Sequence, residues 1–217
     1  MDAVRILFVC TGNICRSPMA ERLTRAHLDE VLGARASTVS VTSAGTHAVV
    51  GGEMEPSSAA VLAGLGGDPR GFRARQLTAG MAESADLVLT MTRNHRRSVL
   101  KLAPRTMFRT YTLREAADLL QDVDVDRLPG MEGTDGQPPA LVRALGQQRG
   151  TRRRGDREQD DVFDPIGHRE SVHQDVGEMI VEALYPLLDA LCAERAPVAA
   201  PQDDDTQWIV PTRFRVA

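Results

Sequence analysis

The stretch that most constrains the fold is a short apolar run near the start of the chain, followed by a loop and an amphipathic helix. Residues 6–9 are continuously apolar, which is typical of a strand buried on both faces of a parallel sheet. After the loop, Ser17 can cap a helix and Pro18 suits its first turn. The apolar side of this helix is supplied by Leu23, Ala26, Leu28, Val31 and Leu32. Cys10 is therefore predicted at the carboxyl end of a strand and beside a helix N-terminus, where open α/β sheets bind ligands and anions are favoured.

The loop itself has the composition of an oxyanion-binding turn. It reads Cys10, Thr11, Gly12, Asn13, Ile14, Cys15, Arg16 and Ser17. A turn of this length can direct successive N–H groups at one centre, because its glycine frees the backbone and its asparagine tolerates a left-handed conformation. Arg16 offers two parallel donors to a phosphate-like group, and Ser17 can donate to the Cys10 sulfur. An electropositive turn favours the thiolate form of Cys10, so we expect a nucleophile beneath a cradled phosphate.

Residues 9–21 resemble the phosphate-binding loop of the low-molecular-weight protein tyrosine phosphatase family. The likeness extends in the family's order through residues 43–46, 73–77, 85–91 and Asp164-Pro165, and it covers roughly residues 4–120 and 162–193. It implies a phosphatase that hydrolyses phosphomonoesters, chiefly protein phosphotyrosine, through a cysteinyl-phosphate intermediate. Cys10 and Arg16 would be catalytic, Asp164 would be the general acid, and residues 11–17 would bind the phosphate. Ser17, Asn13 and Ser43 would support the loop, with Ser43 bonded to Asn13.

Strands that alternate with helices predict parallel βαβ units. We expect an α/β fold with a doubly wound, open, four-stranded parallel sheet and helices on both faces. Predicted strands lie at residues 6–9, around 39–41, at 86–91 and at 106–111, and a final helix runs from residue 170 to about 193. His95 is expected on the surface of a helix, and His173 is expected to be structural or exposed.

Residues 1–195 are predicted to form a single domain. Within it, residues 121–161 are rich in Gly, Pro, Gln and mixed charge, so we expect a long mobile insertion that buries little apolar surface. Residues 196–217 form a predicted C-terminal tail, although Trp208, Ile209, Val210 and Phe214 are apolar enough to dock on the body.

Composition limits the choice of partners and compartment. A formal net charge of −4 gives no reason to expect nucleic acid as a partner. The sequence has no apolar run near the roughly 18 residues of a membrane span and no visible signal peptide, and three cysteines suit a reducing compartment. We therefore expect a cytoplasmic enzyme with no membrane or nucleic-acid partner. Its expected partners are a phosphorylated protein substrate and inorganic phosphate or other oxyanions as inhibitors. No spacing of His, Cys or carboxylates predicts a metal, and no cofactor is expected.

The sequence is also compatible with three further functions. Ile14 stands at the loop position where family members that dephosphorylate arginine carry Thr, and a protein-arginine phosphatase is the first of them. Val49 and Ile166 stand where many family members place Trp or Tyr, so the pocket is poor in aromatic residues. A thioredoxin-coupled arsenate reductase is the second, and it needs further downstream cysteines, of which only Cys192 exists. A phospho-binding module without turnover is the third and is not an enzyme.

Cys15 lies in the same short loop as Cys10. Oxidation of an activated thiolate to a sulfenic acid can be trapped by a neighbouring thiol. We therefore expect Cys15 to protect Cys10 through a reversible disulfide, and a buried filler cysteine is the competing interpretation.

Overall fold

The predicted first strand is the centre of the sheet. In the computed structural model, which describes residues 4–128, 139–150 and 159–192, strand β1 (Val4–Cys10) is buried along its length except at Arg5. Strand β2 (Val39–Gly45) pairs with one side of β1, and strand β3 (Leu87–Thr90) pairs with the other. Strand β4 (Thr110–Thr112) adds to β3, so the spatial order is β2-β1-β3-β4 with every pair parallel. This is the predicted open four-stranded parallel sheet.

Helices connect the strands and cover both faces of the sheet. Their bounds are α1 Arg16–Leu32, α2 Pro56–Gly64, α3 Ala79–Ser84, α4 Arg93–Leu102, α5 Leu113–Leu120, α6 Ala140–Gln148 and α7 Glu170–Cys192, with short 3-10 helices at Gly33–Thr38, Pro104–Arg109 and Val125–Arg127. Because side chains alternate along a strand, β1 supplies both cores. Ile6 and Phe8 pack in the core that includes residues of α1, α5 and α7, while Leu7 and Val9 pack in the core that includes residues of α3 and α4. The prediction of a doubly wound fold is confirmed.

The structure differs from the sequence-based expectations at the start of α1, in the length of the fourth strand and in the exposure of Val31. Helix α1 begins at Arg16 with Cys15 at its N-cap, so Ser17 lies inside the helix and its hydroxyl is free for other partners. The fourth strand is shorter than predicted, because the chain from Pro104 forms a 3-10 turn before it enters the sheet. Val31 is half exposed rather than part of the buried side of α1.

The segment predicted as an insertion contributes to the core. Helix α6 buries Leu141, Val142 and Leu145 in the larger core, and Tyr111 Oη, which donates to the Phe108 carbonyl at 2.9 Å, also lies 3.4 Å from the carbonyl of Val142. Arg149 follows the helix and lies over the Tyr111 ring, 4.1 Å from its centroid. The expectation that residues 121–161 bury little apolar surface is therefore wrong for α6. The remaining parts at 129–138 and 151–158, and the predicted tail at 196–217, lie outside the described residues.

The length and hydropathy of the described helices bear on whether one of them could cross a lipid bilayer. Within residues 4–128, 139–150 and 159–192, every helix is too short or too polar to serve as a membrane span.

A core mutation tests whether α6 belongs to the folded domain. Leu145→Ala is expected to lower the free energy of unfolding by about 2–4 kcal/mol, because it removes a fully buried side chain and leaves a cavity. Gln147→Ala is the matched control on the exposed side of the same helix and is expected to change that free energy by less than about 0.5 kcal/mol. Urea unfolding followed by circular dichroism measures both. Equal stability of the two variants would show that α6 is an appendage.

Candidate functional site

In the loop from Cys10 to Ser17, several backbone carbonyl groups face the segment of residues 46–55 and are held there by hydrogen bonds. The carbonyls of Cys10, Thr11, Gly12 and Ile14 accept hydrogen bonds from the N–H groups of Thr46, His47, Val49 and Glu55 at 2.8–3.0 Å. In a planar trans peptide the N–H points opposite to the carbonyl, so the N–H groups of these peptides face the inside of the loop. The N–H of Asn13 accordingly points at Cys10 Sγ, 3.3 Å away. The loop is thus a concave set of donors around the cysteine, as an oxyanion site requires.

Asn13 fixes the shape of this loop. Its φ of 56° is the left-handed conformation that asparagine tolerates better than most residues. Its side-chain amide is fully buried and donates to Ser17 Oγ at 2.9 Å and to Ser43 Oγ at 2.8 Å. Its side-chain carbonyl accepts from the backbone N–H of Arg75 at 2.9 Å. The predicted bond between Ser43 and Asn13 is therefore present.

The hydrogen bonds of Asn13 determine which proton is left to be donated to Cys10. Ser43 Oγ accepts from Asn13 and donates its own proton to Glu21 at 2.6 Å. Ser17 Oγ also accepts from Asn13, which leaves the Ser17 proton for Cys10 Sγ at 2.9 Å. Two donors, the Ser17 hydroxyl and the Asn13 N–H, therefore converge on the sulfur.

A glycine allows the loop to lie directly against strand β2. Gly45 pairs with Cys10, and a Cβ at this position would lie 2.4 Å from the Thr11 carbonyl oxygen. Only a residue without a side chain permits this approach.

Arg16 joins the loop to the segment that carries Asp164. Its Nη1 donates to the Val162 carbonyl at 3.0 Å, and its Nη2 donates to Asp164 Oδ2 at 2.6 Å. The Arg16 side chain is 4% exposed and that of Asp164 is 48% exposed, so the buried partner is the cation. The Nε of Arg16 is also buried, and no group in the described part of the chain accepts a hydrogen bond from it.

The backbone just before Asp164 is anchored from two sides. The N–H of Val162 donates to the Met91 carbonyl at 2.8 Å, at the end of β3. Asp161 accepts from the backbone N–H of Arg93 at 2.8 Å, at the start of α4. Asp164 is therefore separated by only one residue from a fixed point of the sheet, which limits where its carboxylate can move.

These residues surround a pocket of about 200 Å³. Its lining consists of Cys10, Thr11, Gly12, Ile14, Cys15, Arg16, Val49, Asp164 and Ile166. Every residue predicted to be catalytic lies on this pocket. Asn13, Ser17 and Ser43 are buried beneath it and support the loop instead.

His95 was expected on the surface, and this expectation is wrong. It is 7% exposed, and its Nε2 lies 2.8 Å from Thr11 Oγ1 in the loop. Thr92 Oγ1 accepts from the His95 N–H and lies 2.9 Å from Nδ1, so its own proton can go to Nδ1. This arrangement favours the proton on Nε2, donated to Thr11, and leaves the Thr11 hydroxyl proton for a ligand in the pocket. Burial, followed by the charge of Arg16, lowers the pKa of His95 to about 4 and keeps the ring neutral near pH 7.

A second group was missed on the sequence because its members lie far apart. The ligand atoms of Cys15, Glu55 and His173 lie within 4.8 Å of one another. His173 is buried, and its Nδ1 lies 2.8 Å from Ser58 Oγ and 3.2 Å from Glu55 Oε2. Burial is the main cause that raises the pKa of Cys15 to about 12, so Cys15 is a thiol at neutral pH. Only the tertiary fold brings residue 173 to residue 15, and no local signal could have predicted it.

The buried neutral His95 predicts acid sensitivity of the fold. The unfolded chain binds a proton at His95 near pH 6.5 and the folded chain only near pH 4, so this residue removes stability as the pH falls through that window. At pH 4 the cost relative to pH 7 is on the order of 3 kcal/mol. His95→Gln is expected to flatten the pH dependence of the free energy of unfolding between pH 4 and 6.5.

His47→Gln, on an exposed loop, is the control and is expected to keep the slope of the wild-type protein. Denaturant unfolding at half-unit pH steps measures all three proteins. The assignment fails if wild type and His95→Gln show parallel curves.

Comparison with known proteins agrees with this geometry. Residues 5–128 match the family described as low molecular weight phosphotyrosine protein phosphatase. The low molecular weight protein-tyrosine-phosphatase Etp of Escherichia coli is 42% identical over 105 residues, which are 48% of this chain and 66% of that protein. The probable low molecular weight protein-tyrosine-phosphatase EpsP of Ralstonia solanacearum is 38% identical over 121 residues, which are 56% of this chain and 75% of that protein. The matched region thus spans about two thirds to three quarters of these relatives.

Solved structures extend the likeness beyond the matched sequence. The tyrosine phosphatase AmsI of Erwinia amylovora shares the fold with a TM-score of 0.62 at 24% identity, over 88% of this chain and 95% of that one. The YwlE arginine phosphatase from Geobacillus stearothermophilus has a TM-score of 0.59 at 29% identity, over 87% of this chain and 92% of that one. Because the family match covers more than half of the sequence, the chain belongs to the low molecular weight phosphotyrosine protein phosphatase family.

Proposed function

We propose that the protein is a protein-tyrosine phosphatase, which hydrolyses phosphomonoesters through a cysteinyl-phosphate intermediate. The observation that carries the proposal is the state of Arg16. Its Nε is buried without an acceptor in the described part of the chain, and Arg16 lines the same pocket as Cys10. A buried donor without a partner is costly unless a ligand satisfies it. A phosphate oxygen above Cys10 would do so, with the inward N–H groups of the loop binding the other oxygens.

In the first step, Cys10 attacks phosphorus in line with the leaving group. The S–P bond forms as the P–O bond breaks, and Asp164 donates its proton to the departing oxygen. In the second step, water attacks phosphorus, Asp164 takes the proton from it, and the S–P bond breaks to release inorganic phosphate. Arg16 and the loop N–H groups stabilise the charge on the equatorial oxygens in both steps. Ser17 stabilises Cys10 as the leaving thiolate.

The ion pair between Arg16 and Asp164 belongs to the state of the protein before phosphate binds. A phosphate dianion has more charge than the carboxylate and competes for the Arg16 Nη2. Substrate binding would therefore release Asp164 from Arg16.

The mouth of the pocket favours an aryl leaving group. Ile14, Val49 and Ile166 line it, and Val49 and Ile166 are about half exposed. These side chains offer apolar contact to a phenol ring, and they offer no hydrogen bond to a guanidinium. Among the described residues that line the pocket, Asp164 alone is acidic. We therefore prefer phosphotyrosine over phosphoarginine as the substrate.

An arsenate reductase and a phospho-binding module without turnover have less support from the site. Cys192 is buried at the end of α7, and burial raises its pKa to about 11, which makes it a poor thiolate for arsenate reduction. A binding module needs no proton donor, yet Asp164 stands beside Arg16 in the pocket.

Protection of Cys10 by Cys15 stays a prediction, since the two cysteines are free in the structure.

Replacement of the nucleophile tests the proposal directly. Cys10→Ser is expected to lower kcat/KM for p-nitrophenyl phosphate and for a phosphotyrosyl peptide by at least about 10⁴-fold, because a hydroxyl is a much weaker nucleophile than a thiolate. Vanadate or phosphate binding, measured by calorimetry, should persist. Cys192→Ser, at a buried thiol outside the pocket, is expected to retain activity. Substantial turnover by Cys10→Ser, or a faster reaction of wild type with a phosphoarginyl peptide, would contradict the assignment.

The role of Asp164 is tested with a series of leaving groups. Asp164→Asn is expected to slow the hydrolysis of aryl phosphates with poorly acidic phenols by about 10²–10⁴-fold. Phosphates of very acidic phenols should lose less, because their leaving oxygen needs less protonation. Asp175→Asn, exposed on α7, serves as the control. An equal loss across the series would mean that Asp164 does not act as the acid.

A further inference from the structure

Three metal-ligating side chains from separate elements meet beside the phosphate loop. Cys15 is the N-cap of α1, Glu55 is the N-cap of α2, and His173 lies in the first turn of α7. Their ligand atoms lie within 4.8 Å of one another. We propose that these residues form a binding site for Zn²⁺, separate from the phosphate pocket and independent of the proposed phosphatase activity.

The donor set matches the coordination chemistry of zinc. A thiolate, an imidazole and a carboxylate are the three ligand types that Zn²⁺ takes in proteins, and three protein ligands leave one position for water. Metal–ligand bonds of about 2.0–2.1 Å at a tetrahedral centre place nitrogen and oxygen ligands roughly 3.3 Å apart. The observed separation of His173 Nδ1 and Glu55 Oε2 is 3.2 Å. The sulfur needs to approach by no more than about 1.3 Å to complete the geometry.

The charge and the burial of these ligands favour the binding of a divalent cation. Cys15 and His173 are 3% and 2% exposed. The Glu55 carboxylate, whose Oε2 lies 3.2 Å from His173 Nδ1, brings a negative charge to the cluster. When Zn²⁺ binds, the Cys15 S–H bond breaks, the proton leaves to solvent and the Zn–S bond forms. The thiolate and the Glu55 carboxylate then balance the two positive charges of the metal.

Two of the three ligands border solvent-accessible space, because the Glu55 side chain is 24% exposed and Cys15 lines the phosphate pocket. Cys15 belongs to the lining of that pocket, while Glu55 and His173 do not. A cation can therefore reach the three ligands from solvent. Occupation of the site would tie α1, α2 and α7 together, and it would prevent Cys15 from forming a disulfide with Cys10.

The competing interpretation is a hydrogen-bonded network without a metal. Ser58 supports it, because its N–H donates to Glu55 Oε2 at 2.8 Å and its hydroxyl lies 2.8 Å from His173 Nδ1. A network of this kind would stabilise the fold but would have no selective affinity for Zn²⁺ or Cd²⁺.

Cadmium and zinc titrations of the full chain distinguish the two interpretations. The titrations use a Cys10→Ser background, since Cys10 is itself a metal-binding thiol. Cd²⁺ is expected to bind with a stoichiometry of one and to give the ultraviolet charge-transfer band of a thiolate–cadmium bond. Zn²⁺, measured by competition with a chromophoric chelator, should displace it. Adding Cys15→Ser is expected to abolish the band, whereas adding Cys192→Ser, at the other buried thiol, is expected to leave it unchanged.

His173→Gln and Glu55→Gln separate a three-ligand site from a lone thiol. Each is expected to weaken Zn²⁺ binding by at least about tenfold. His47→Gln, at an exposed histidine, is expected to have no effect. Thermal unfolding confirms that each variant is folded, and Zn²⁺ should raise the melting temperature of Cys10→Ser but not of the variants that lack a ligand. No cadmium band in Cys10→Ser, a band that survives Cys15→Ser, or unchanged affinity in both His173→Gln and Glu55→Gln would overturn the proposal.

Discussion

The buried side-chain amide of Asn13 is the interaction on which the phosphate loop depends. Its two N–H donors and its carbonyl oxygen reach α1 at Ser17, β2 at Ser43 and the backbone of Arg75. A substitution that removes the amide would leave several buried polar groups unpaired, at about 1–3 kcal/mol each. The left-handed backbone at Asn13 would cost more for almost any other side chain. One residue thus sets the loop conformation and, through Ser17, the hydrogen bonds to Cys10.

Arg16 couples this loop to the segment that carries Asp164. One guanidinium nitrogen holds the Val162 carbonyl, and another holds the Asp164 carboxylate. The first bond is to a backbone anchored on β3, so it can persist while the second exchanges for a phosphate oxygen. Because separate nitrogens of Arg16 make these two bonds, one nearly fully buried arginine can contact both the phosphate loop and the segment that carries Asp164. It also places the acid close to the phosphate before the ligand arrives, which reduces the entropy lost in assembling the site.

The parts of the structure that follow from local sequence were predictable. The apolar run, the glycine and asparagine of the loop, and the alternation of strands with helices each depend on near neighbours, and they led to the correct sheet and pocket. His95 was misplaced because its helix is strongly polar, and only packing of α4 against the loop buries it beside Thr11. Helix α6 was not predicted because it lies in a segment of mixed charge, in which the few apolar residues of its buried side, such as Leu141 and Leu145, did not stand out. The Cys15, Glu55 and His173 cluster depends on contacts across about 160 residues of sequence, beyond any pattern of spacing.

The phosphate loop separates two environments of opposite electrostatic preference. Its concave side presents N–H groups and the Arg16 guanidinium, and it favours an anion above Cys10. Beside it, the ligand atoms of Cys15, Glu55 and His173 lie within 4.8 Å of one another, and the Glu55 carboxylate there favours a cation. The two buried cysteines of one short loop therefore differ in chemistry, because Cys10 receives the inward N–H of Asn13 whereas the Cys15 sulfur lies beside Glu55 and His173.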